Sequence, residues 1–158
     1  MQAINPQRKA FLDMLAWSEG TDKPGQPTKN HGYDVIVGGA LFSDYSDHPR
    51  KLVTLNPKLK STAAGRYQLL SRWWDAYRKR LGLKDFSPAS QDAVALQQIK
   101  ERRALELIDA GDIRQAIDRC SNIWASLPGA GYGQFEHKVD NLIAKFKEAG
   151  GKVNEPKS

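Results

Sequence analysis

Apolar residues recur at helical spacing near the start of the chain and predict an amphipathic helix with one face in the core. That face is formed by Ala10, Phe11, Met14, Leu15 and Trp17. Asn5-Pro6 begins the helix, because asparagine caps helices and proline suits the first helical position. Gly20 ends it, because glycine adopts the left-handed conformation in which helices terminate.

The next part of the chain has the pattern of short strands. β-Branched and aromatic residues over 33–37 and 40–42 flank Gly38-Gly39, which is typical of a hairpin. A third strand is predicted over Lys51–Leu55, stopped by Asn56-Pro57. We therefore expect a small antiparallel sheet of two or three strands, which needs helices beside it to be stable.

From Leu69 onward the pattern is helical again, with glycines at the helix ends. One helix carries Leu69, Leu70, Trp73, Trp74, Tyr77 and Leu81 and ends at Gly82. The next begins at Ser87-Pro88 with Ala89, Ala93, Leu96 and Ile99 facing inward, and helical structure continues through Leu105–Asp109 to Gly111. Asp112 caps a helix holding Ile113, Ala116, Ile117, Cys120 and Trp124, and a last helix with Val139, Leu142, Ile143 and Phe146 ends at Gly150-Gly151. The predicted fold class is α+β.

The chain has 158 residues, of which 40% are hydrophobic and 27% charged, as expected of one globular domain. We predict a single domain over 1–158, with a β insertion at about 33–60 and a flexible tail over 152–158. No apolar run reaches the length of a membrane span, so stable membrane insertion is not expected. Met1–Lys9 lacks the apolar stretch of a signal peptide, which predicts a protein without its own export signal.

The sequence gives no support for metal, cofactor or disulfide chemistry. The single cysteine, Cys120, lies in an apolar pattern and is predicted to be core. His31, His48 and His137 are far apart, and the chain has neither HExxH nor a glycine-rich phosphate loop. We therefore expect no metal and no cofactor.

The net charge of +6 favours an anionic partner. Nucleic acid, an acidic polymer and a bacterial surface are all compatible with charge alone, and the basic residues are spread along the chain. The sequence has no nucleic-acid-binding signature, and its aromatic residues fall on helix faces rather than a strand platform. We therefore do not expect nucleic acid as the partner.

Glu19 is the candidate catalytic residue. At the carboxyl end of the first helix, the helix dipole disfavours a carboxylate, and the neighbouring Trp17 desolvates it. Both effects raise the pKa of Glu19, which suits a general acid. An ordinary solvated glutamate is the alternative interpretation of the position.

A carbohydrate site needs planar side chains for sugar faces and amide or hydroxyl groups for sugar edges. Gln68 and Tyr132 are the first candidates for saccharide contacts, followed by Tyr67 and His31. Gly65, in a loop with Gln68, allows close approach of a ligand. Trp73 and Trp124 are further aromatic candidates, although a helix-face tryptophan more often belongs to the core.

Several long stretches resemble the lambda-type phage endolysins, which are lysozyme-like, murein-degrading lytic transglycosylases. They are RKAFLDMLAWSEGT, NHGYDVIVGG, DYSDHPRKLVTLNPKLKST, GRYQLLSRWWDAYRK, SQDAVALQQIKER and IRQAIDRCSNIWASLPGAGYGQFEHK. The resemblance covers nearly the whole chain, from Arg8 to about Gly150, and departs most in the termini, the Lys23–Pro27 loop and 103–110.

The resemblance implies a lysozyme-like fold with a cleft between a helical lobe and a small β-lobe, and it makes Glu19 the single catalytic acid. The substrate would be peptidoglycan, cut between N-acetylmuramic acid and N-acetylglucosamine. Glu19 would protonate the glycosidic oxygen and then deprotonate the sugar's own C6 hydroxyl, which closes a 1,6-anhydro ring.

Two alternatives share this fold. A hydrolytic muramidase needs a second carboxylate, for which Asp34, Asp44 and Asp47 are the candidates, although turn positions favour structural roles for them. A non-catalytic wall-binding protein is disfavoured because Glu19 is present.

The implied role is host lysis at the end of phage infection. The partners would be peptidoglycan glycan strands, and the protein would act as a monomer. It would stay in the host cytoplasm until a holin releases it to the periplasm.

Overall fold

The computed structural model describes residues 4–129 and 136–154. Its helices are α1 (Pro6–Ser18), α2 (Ser71–Leu81), α3 (Pro88–Glu101), α4 (Leu105–Ala110), α5 (Ile113–Cys120) and α6 (Val139–Glu148). Its strands are β1 (Val53–Asn56) and β2 (Leu59–Ser61), paired antiparallel. The predicted α+β class is confirmed.

The chain divides into two compact units. The first unit comprises the residues up to Ser18 and those from Leu96 onward, and the second comprises Glu19–Ala95. The boundary therefore falls within α3 and directly before Glu19. The prediction of a single domain over 1–158 stays a prediction.

The first unit is a helical bundle around an apolar core. Helix α1 packs on α4 and α6, and α5 packs on the same two helices. The fully buried side chains of this core include Phe11, Met14, Leu15, Ile108, Ile113, Ile117, Cys120 and Phe146. Burial of each large apolar side chain stabilises the fold by about 1.5–3 kcal/mol. Cys120 is core, as predicted.

Helix α1 begins as the sequence predicts. The Arg8 backbone N–H donates to Asn5 Oδ1 at 2.8 Å, so Asn5 caps the helix. The apolar face is broader than predicted, because Leu12 and Ala16 are buried as well. A helix buried on most of its surface is a central element of its unit.

The second unit has its core around Trp74. This residue packs with Ala64, Leu69, Phe86 and Val94. Trp74 is fully buried whereas Trp73 is 47% exposed, so only one of the two adjacent tryptophans belongs to the core. Helix α2 ends at Gly82, which has φ +66°, as the pattern predicted.

The predicted hairpin over 33–42 is wrong as a pair of strands. The structure has one isolated bridge there, Val35 to Leu41, closed by a turn at Gly38-Gly39. The Ile36 N–H donates to the Ala40 carbonyl at 2.7 Å across this turn, and Ile36 also bridges to Ala64, so the pairing does not extend into regular strands. The third predicted strand is β1, whose partner β2 the sequence prediction missed.

Strand β1 ends at Asn56, and Pro57-Lys58 is the turn that leads into β2. Asn56 accepts a hydrogen bond from the Lys58 N–H at 2.9 Å, an arrangement that stabilises turns. Along Leu59–Ser61 the side chains alternate between half-buried and exposed positions, although the sequence Leu-Lys-Ser is too short to predict a strand.

Helix α3 turns a different face inward from the one predicted. Ile99 is buried, but Ala89, Ala93 and Leu96 are only half-buried. The other buried positions are Ser90, Gln91, Val94 and Ala95. Polar side chains occupy this inner face because they find hydrogen-bond partners there.

Helix α5 is shorter than predicted and ends at Cys120, with Trp124 buried in the following turn. Asp112 precedes the helix as its cap residue, but its side chain makes no capping hydrogen bond. Within the described residues no helix is long and apolar enough to cross a membrane.

Candidate active site

Glu19 lies immediately after α1, in a turn with Gly20. The prediction that Glu19 belongs to the last turn of the first helix is therefore wrong by one residue, although Glu19 remains beside the negative end of the helix. Its side chain is half-buried, and Gly20 has φ +78°, a conformation that favours glycine. The turn directs the chain from the helix into the loop that follows.

The last residues of α1 are fixed within the first unit. The hydroxyls of Ser18 and Ser126 share a hydrogen bond of 2.7 Å, and His137 Nε2 donates to the Ser18 carbonyl at 3.1 Å. The Trp17 and His137 rings lie 4.6 Å apart, and Lys145 Nζ lies 5.2 Å from the Trp17 ring. The residues preceding Glu19 therefore have a defined orientation.

Thr21, two residues after Glu19, is buried in the second unit with 1% exposure. Its hydroxyl donates to the Arg66 carbonyl at 2.6 Å. A side chain on Gly32 would place its Cβ within 2.9 Å of Thr21 Oγ1 and of its backbone carbonyl, so only glycine fits there. Thr21 is thus enclosed by two segments that are distant in sequence.

Arg66 is the buried cation of this region. Its Nη2 donates to Asp22 at 3.2 Å, its Nε to the His31 carbonyl at 2.8 Å, and its Nη1 to the Tyr67 hydroxyl at 3.0 Å. The Arg66 backbone N–H donates to Gln91 Oε1 at 2.8 Å. A charged group this well buried needs such partners, since its desolvation is costly.

Tyr33, Tyr67 and Asp92 extend the network. The Tyr67 hydroxyl donates to Asp92 Oδ1 at 2.6 Å, and the Tyr33 hydroxyl donates to the same carboxylate at 2.9 Å. Burial raises the pKa of Tyr33 to about 12 and raises the pKa of Tyr67 well above its usual value. Both phenols therefore stay protonated and act as donors.

Two predicted saccharide contacts, Tyr67 and Gln68, lie beside this network. Tyr67 is only 5% exposed, and its hydroxyl is bonded to Asp92. Gln68 is half-buried with φ +54°, and its amide donates to the Gly65 carbonyl at 2.9 Å. Both side chains therefore stabilise the fold through these hydrogen bonds, and their contacts with a saccharide stay predictions.

The remaining saccharide candidates lie in different places. His31 is exposed with φ +51°, and Trp73 is exposed with the Arg72 guanidinium 5.5 Å from its ring. Trp124 is buried. Tyr132 lies outside the described residues, so its predicted role stays a prediction.

The three carboxylates considered as a second catalytic group are each held by local structure. Asp34 is buried and accepts hydrogen bonds from Thr28 and from the Lys29 N–H. Asp44 accepts from the Ser46 N–H at 2.9 Å, and hydrogen bonds from the Ser46 side chain and then from this N–H lower the pKa of Asp44. Hydrogen bonds from Arg50 and then Trp74 lower the pKa of Asp47 to about 2. These are the structural roles that their turn positions favoured.

His48 is buried rather than a surface group. Its Nδ1 accepts from the Arg50 N–H at 2.9 Å, and its Nε2 donates to the Leu69 carbonyl at 2.8 Å. Burial lowers the pKa of His48. No group of three or more His, Cys, Asp or Glu side chains in the described parts of the chain is arranged to hold a metal ion.

Thr21, Arg66 and Asp92 were not among the predicted site residues. Arg66 carried a usable signal, since it is a lone charge among small and apolar residues before α2. Thr21 and Asp92 carried none, because their importance depends on contacts across 45 and 25 positions of the chain.

Comparisons with known proteins agree with one another. The endolysin family model matches residues 9–153. The endolysin of Escherichia phage lambda is 86% identical over 98% of each chain, and that of Escherichia phage P2 is 55% identical over 96% of this chain and 98% of its own.

Solved structures give the same result. Bacteriophage lambda lysozyme complexed with a chitohexasaccharide superposes with a TM-score of 0.95 and 86% identity, covering 98% of this chain and 100% of that chain. A second structure of lysozyme from bacteriophage lambda gives a TM-score of 0.91 at 84% identity, with the same coverage. The fold is lysozyme-like, as the resemblance implied. The chain therefore belongs to the endolysin family, whose members are lysozyme-like enzymes that degrade bacterial peptidoglycan.

Proposed function

We propose that this endolysin cleaves the bond between N-acetylmuramic acid and N-acetylglucosamine by lytic transglycosylation, with Glu19 as its acid and base. The observation that carries the proposal is that all three candidates for a second catalytic carboxylate already have structural hydrogen-bond partners. Asp34, Asp44 and Asp47 are each held by hydrogen bonds within the second unit. A mechanism with one carboxylate accounts for this arrangement.

In the first step, Glu19 gives its proton to the glycosidic oxygen while the bond breaks through an oxocarbenium-like state. In the second step, the ionised Glu19 takes the proton of the sugar's C6 hydroxyl, whose oxygen bonds to C1 and closes the anhydro ring. The hydroxyl is already part of the substrate, so proximity replaces activation of a water. The proton returns to Glu19, and no water is consumed.

The substrate class is supported by the relative that is complexed with a chitohexasaccharide. The same family membership supports a role in host lysis. We expect the protein to act on glycan strands as a monomer, after a holin releases it from the host cytoplasm to the periplasm.

Digestion of purified peptidoglycan in heavy-oxygen water tests the mechanism. Mass spectrometry should find products one water lighter than hydrolytic products and free of label. Labelled reducing ends would instead establish a hydrolytic muramidase and overturn the transglycosylation.

The matched variant for this experiment is Glu19→Gln, which keeps the shape of the side chain but removes its proton transfer. Turnover should fall by roughly 10²–10⁴-fold, the usual contribution of a general acid. Its thermal melting should stay close to that of the parent, and retained turnover would contradict the role of Glu19.

A further inference from the structure

We propose that Arg66, acting through Thr21, is the positioning residue of the Glu19 turn, an inference that rests on the proposed function of Glu19. Glu19 follows the last residue of α1, so helical hydrogen bonding no longer fixes its backbone on the downstream side. The contacts of the next residues therefore restrain the Glu19 backbone, from which its carboxyl group projects.

Both of the residues that follow Gly20 are bonded to Arg66. Thr21 Oγ1 donates to the Arg66 carbonyl at 2.6 Å, and Asp22 Oδ2 accepts from Arg66 Nη2 at 3.2 Å. One contact uses the backbone of Arg66 and the other its guanidinium. Two bonds from one residue restrain both the position and the direction of the chain.

Arg66 is itself held on a rigid support. Helix α3 contributes Gln91, which accepts from the Arg66 N–H at 2.8 Å, and Asp92, which accepts from the Tyr67 hydroxyl at 2.6 Å. The Arg66 guanidinium lies 5.3 Å from the Tyr33 ring centroid and 5.6 Å from that of Tyr67. Its side chain is only 7% exposed. Hydrogen bonds thus connect α3 through Arg66 to Thr21.

Gly32 limits movement of Thr21 in another direction. Its backbone approaches Thr21 so closely that a Cβ there would lie 2.9 Å from the Thr21 hydroxyl. The hydroxyl therefore has little freedom to leave Arg66. Catalytic groups need this kind of support, because a misplacement of about 1 Å reduces rates by roughly 100-fold.

The direct test is Thr21→Val, which keeps the branched shape and removes the donor, with Thr21→Ser as the control that keeps the hydroxyl. On solubilised peptidoglycan, Thr21→Val should lower kcat roughly 10–100-fold with KM changed less than about twofold. Thr21→Ser should restore most of kcat. The pH profile of kcat should also shift for Thr21→Val, because the surroundings of Glu19 change.

A second variant, Asp22→Asn, weakens the other contact at a partly exposed position and keeps the test open if Thr21→Val does not fold. It should lower kcat in the same direction by a smaller factor. Ile108→Val, in the core of the first unit, serves as the stability control and should lower Tm without changing kcat or its pH profile.

A lower Tm for Thr21→Val with kcat and its pH profile unchanged would overturn the proposal, since Thr21 would then be merely structural. A rise in KM alone would overturn it too. Glu19→Gln, assayed alongside, separates the two ideas. If Glu19→Gln keeps its turnover, the proposed function is contradicted. If Glu19→Gln loses its turnover while Thr21→Val behaves like the parent, only the positioning role is contradicted.

Discussion

His48 is a buried polar residue of the second unit, and its hydrogen bonds fix its protonation state. His48 uses both ring nitrogens, with Nδ1 accepting from the Arg50 N–H and Nε2–H donating to the Leu69 carbonyl. This arrangement requires the neutral ring, because protonation at Nδ1 would remove the acceptor. Burial also lowers the pKa of His48, because desolvation disfavours the charged ring, although the hydrogen bond to Leu69 and the charges of Asp47 and Asp75 partly oppose the shift.

The free energy of unfolding should therefore decrease as the pH falls from 7 to 5. The pKa of His48 is lower in the folded state than its ordinary value of 6.5, so below that value the unfolded chain binds the extra proton. Asp47, with a pKa of about 2, stays ionised across this range and does not contribute. Urea unfolding at the two pH values measures the change.

His48→Gln should be less stable at both pH values and show a smaller decrease between them. His31→Gln, at an exposed position, is the control and should keep the parent's pH dependence. An equal decrease in the parent and in His48→Gln would show that another group is responsible.

At the scale of elements, the turn before α2 depends on a glycine that the sequence analysis considered for ligand approach. Gly65 has φ +85°, and a Cβ there would collide with Gln91 Oε1 and come within 3.0 Å of Phe86 Cζ. Gly82, at the end of α2, has φ +66° with nothing within 4 Å of a Cβ. The two positions share a left-handed conformation but differ in available space.

Gly65→Ala should therefore destabilise the protein more than Gly82→Ala. The left-handed conformation alone costs about 1–2 kcal/mol for a residue with a Cβ, and this should be the whole effect at Gly82. At Gly65 the displacement of Gln91 adds the loss of a buried hydrogen bond, about 1–3 kcal/mol more. Denaturant unfolding of both variants checks the difference, and equal losses would contradict it.

At the scale of the whole molecule, the positive charge is unevenly distributed along the sequence. Residues 48–74 include Arg50, Lys51, Lys58, Lys60, Arg66 and Arg72 and no Asp or Glu. The lysines at 51, 58 and 60 are exposed, as are Leu52 and Leu55 of the same segment. We expect the exposed lysines of this segment to contribute to attraction toward an anionic envelope.

Lysis of whole envelopes should decline as salt is raised from low to physiological ionic strength, because the Debye length falls to about 8 Å. Binding of an uncharged chitin oligosaccharide should change little, and it provides the control for effects of salt on the enzyme itself. Envelope lysis that is indifferent to salt would count against a role for the charge.

Local sequence patterns correctly predicted the helices whose apolar residues recur at regular helical spacing. Pro6–Ser18 and Ser71–Leu81 are helices ended by glycines, as expected. The prediction of two strands over 33–42 was wrong because the pairing across the turn is limited to the Val35–Leu41 bridge, and the next bridge joins Ile36 to the distant Ala64. The prediction of which face of α3 is buried was wrong because Gln91, a polar residue, is buried there. Its hydrogen bonds stabilise it inside, and the spacing of apolar residues along the helix does not reveal them.

The sequence by itself determined the fold class, the endolysin resemblance and the choice of Glu19 as the acid. Helix spacing, capping residues and glycine positions are local properties, and long matching stretches identify a family directly. Only the tertiary structure decided which contacts hold the residues that follow Glu19. The Thr21–Arg66 bond joins positions 45 residues apart, and the burial that makes Arg66, Tyr67 and Asp92 a network exists only once the chain is folded.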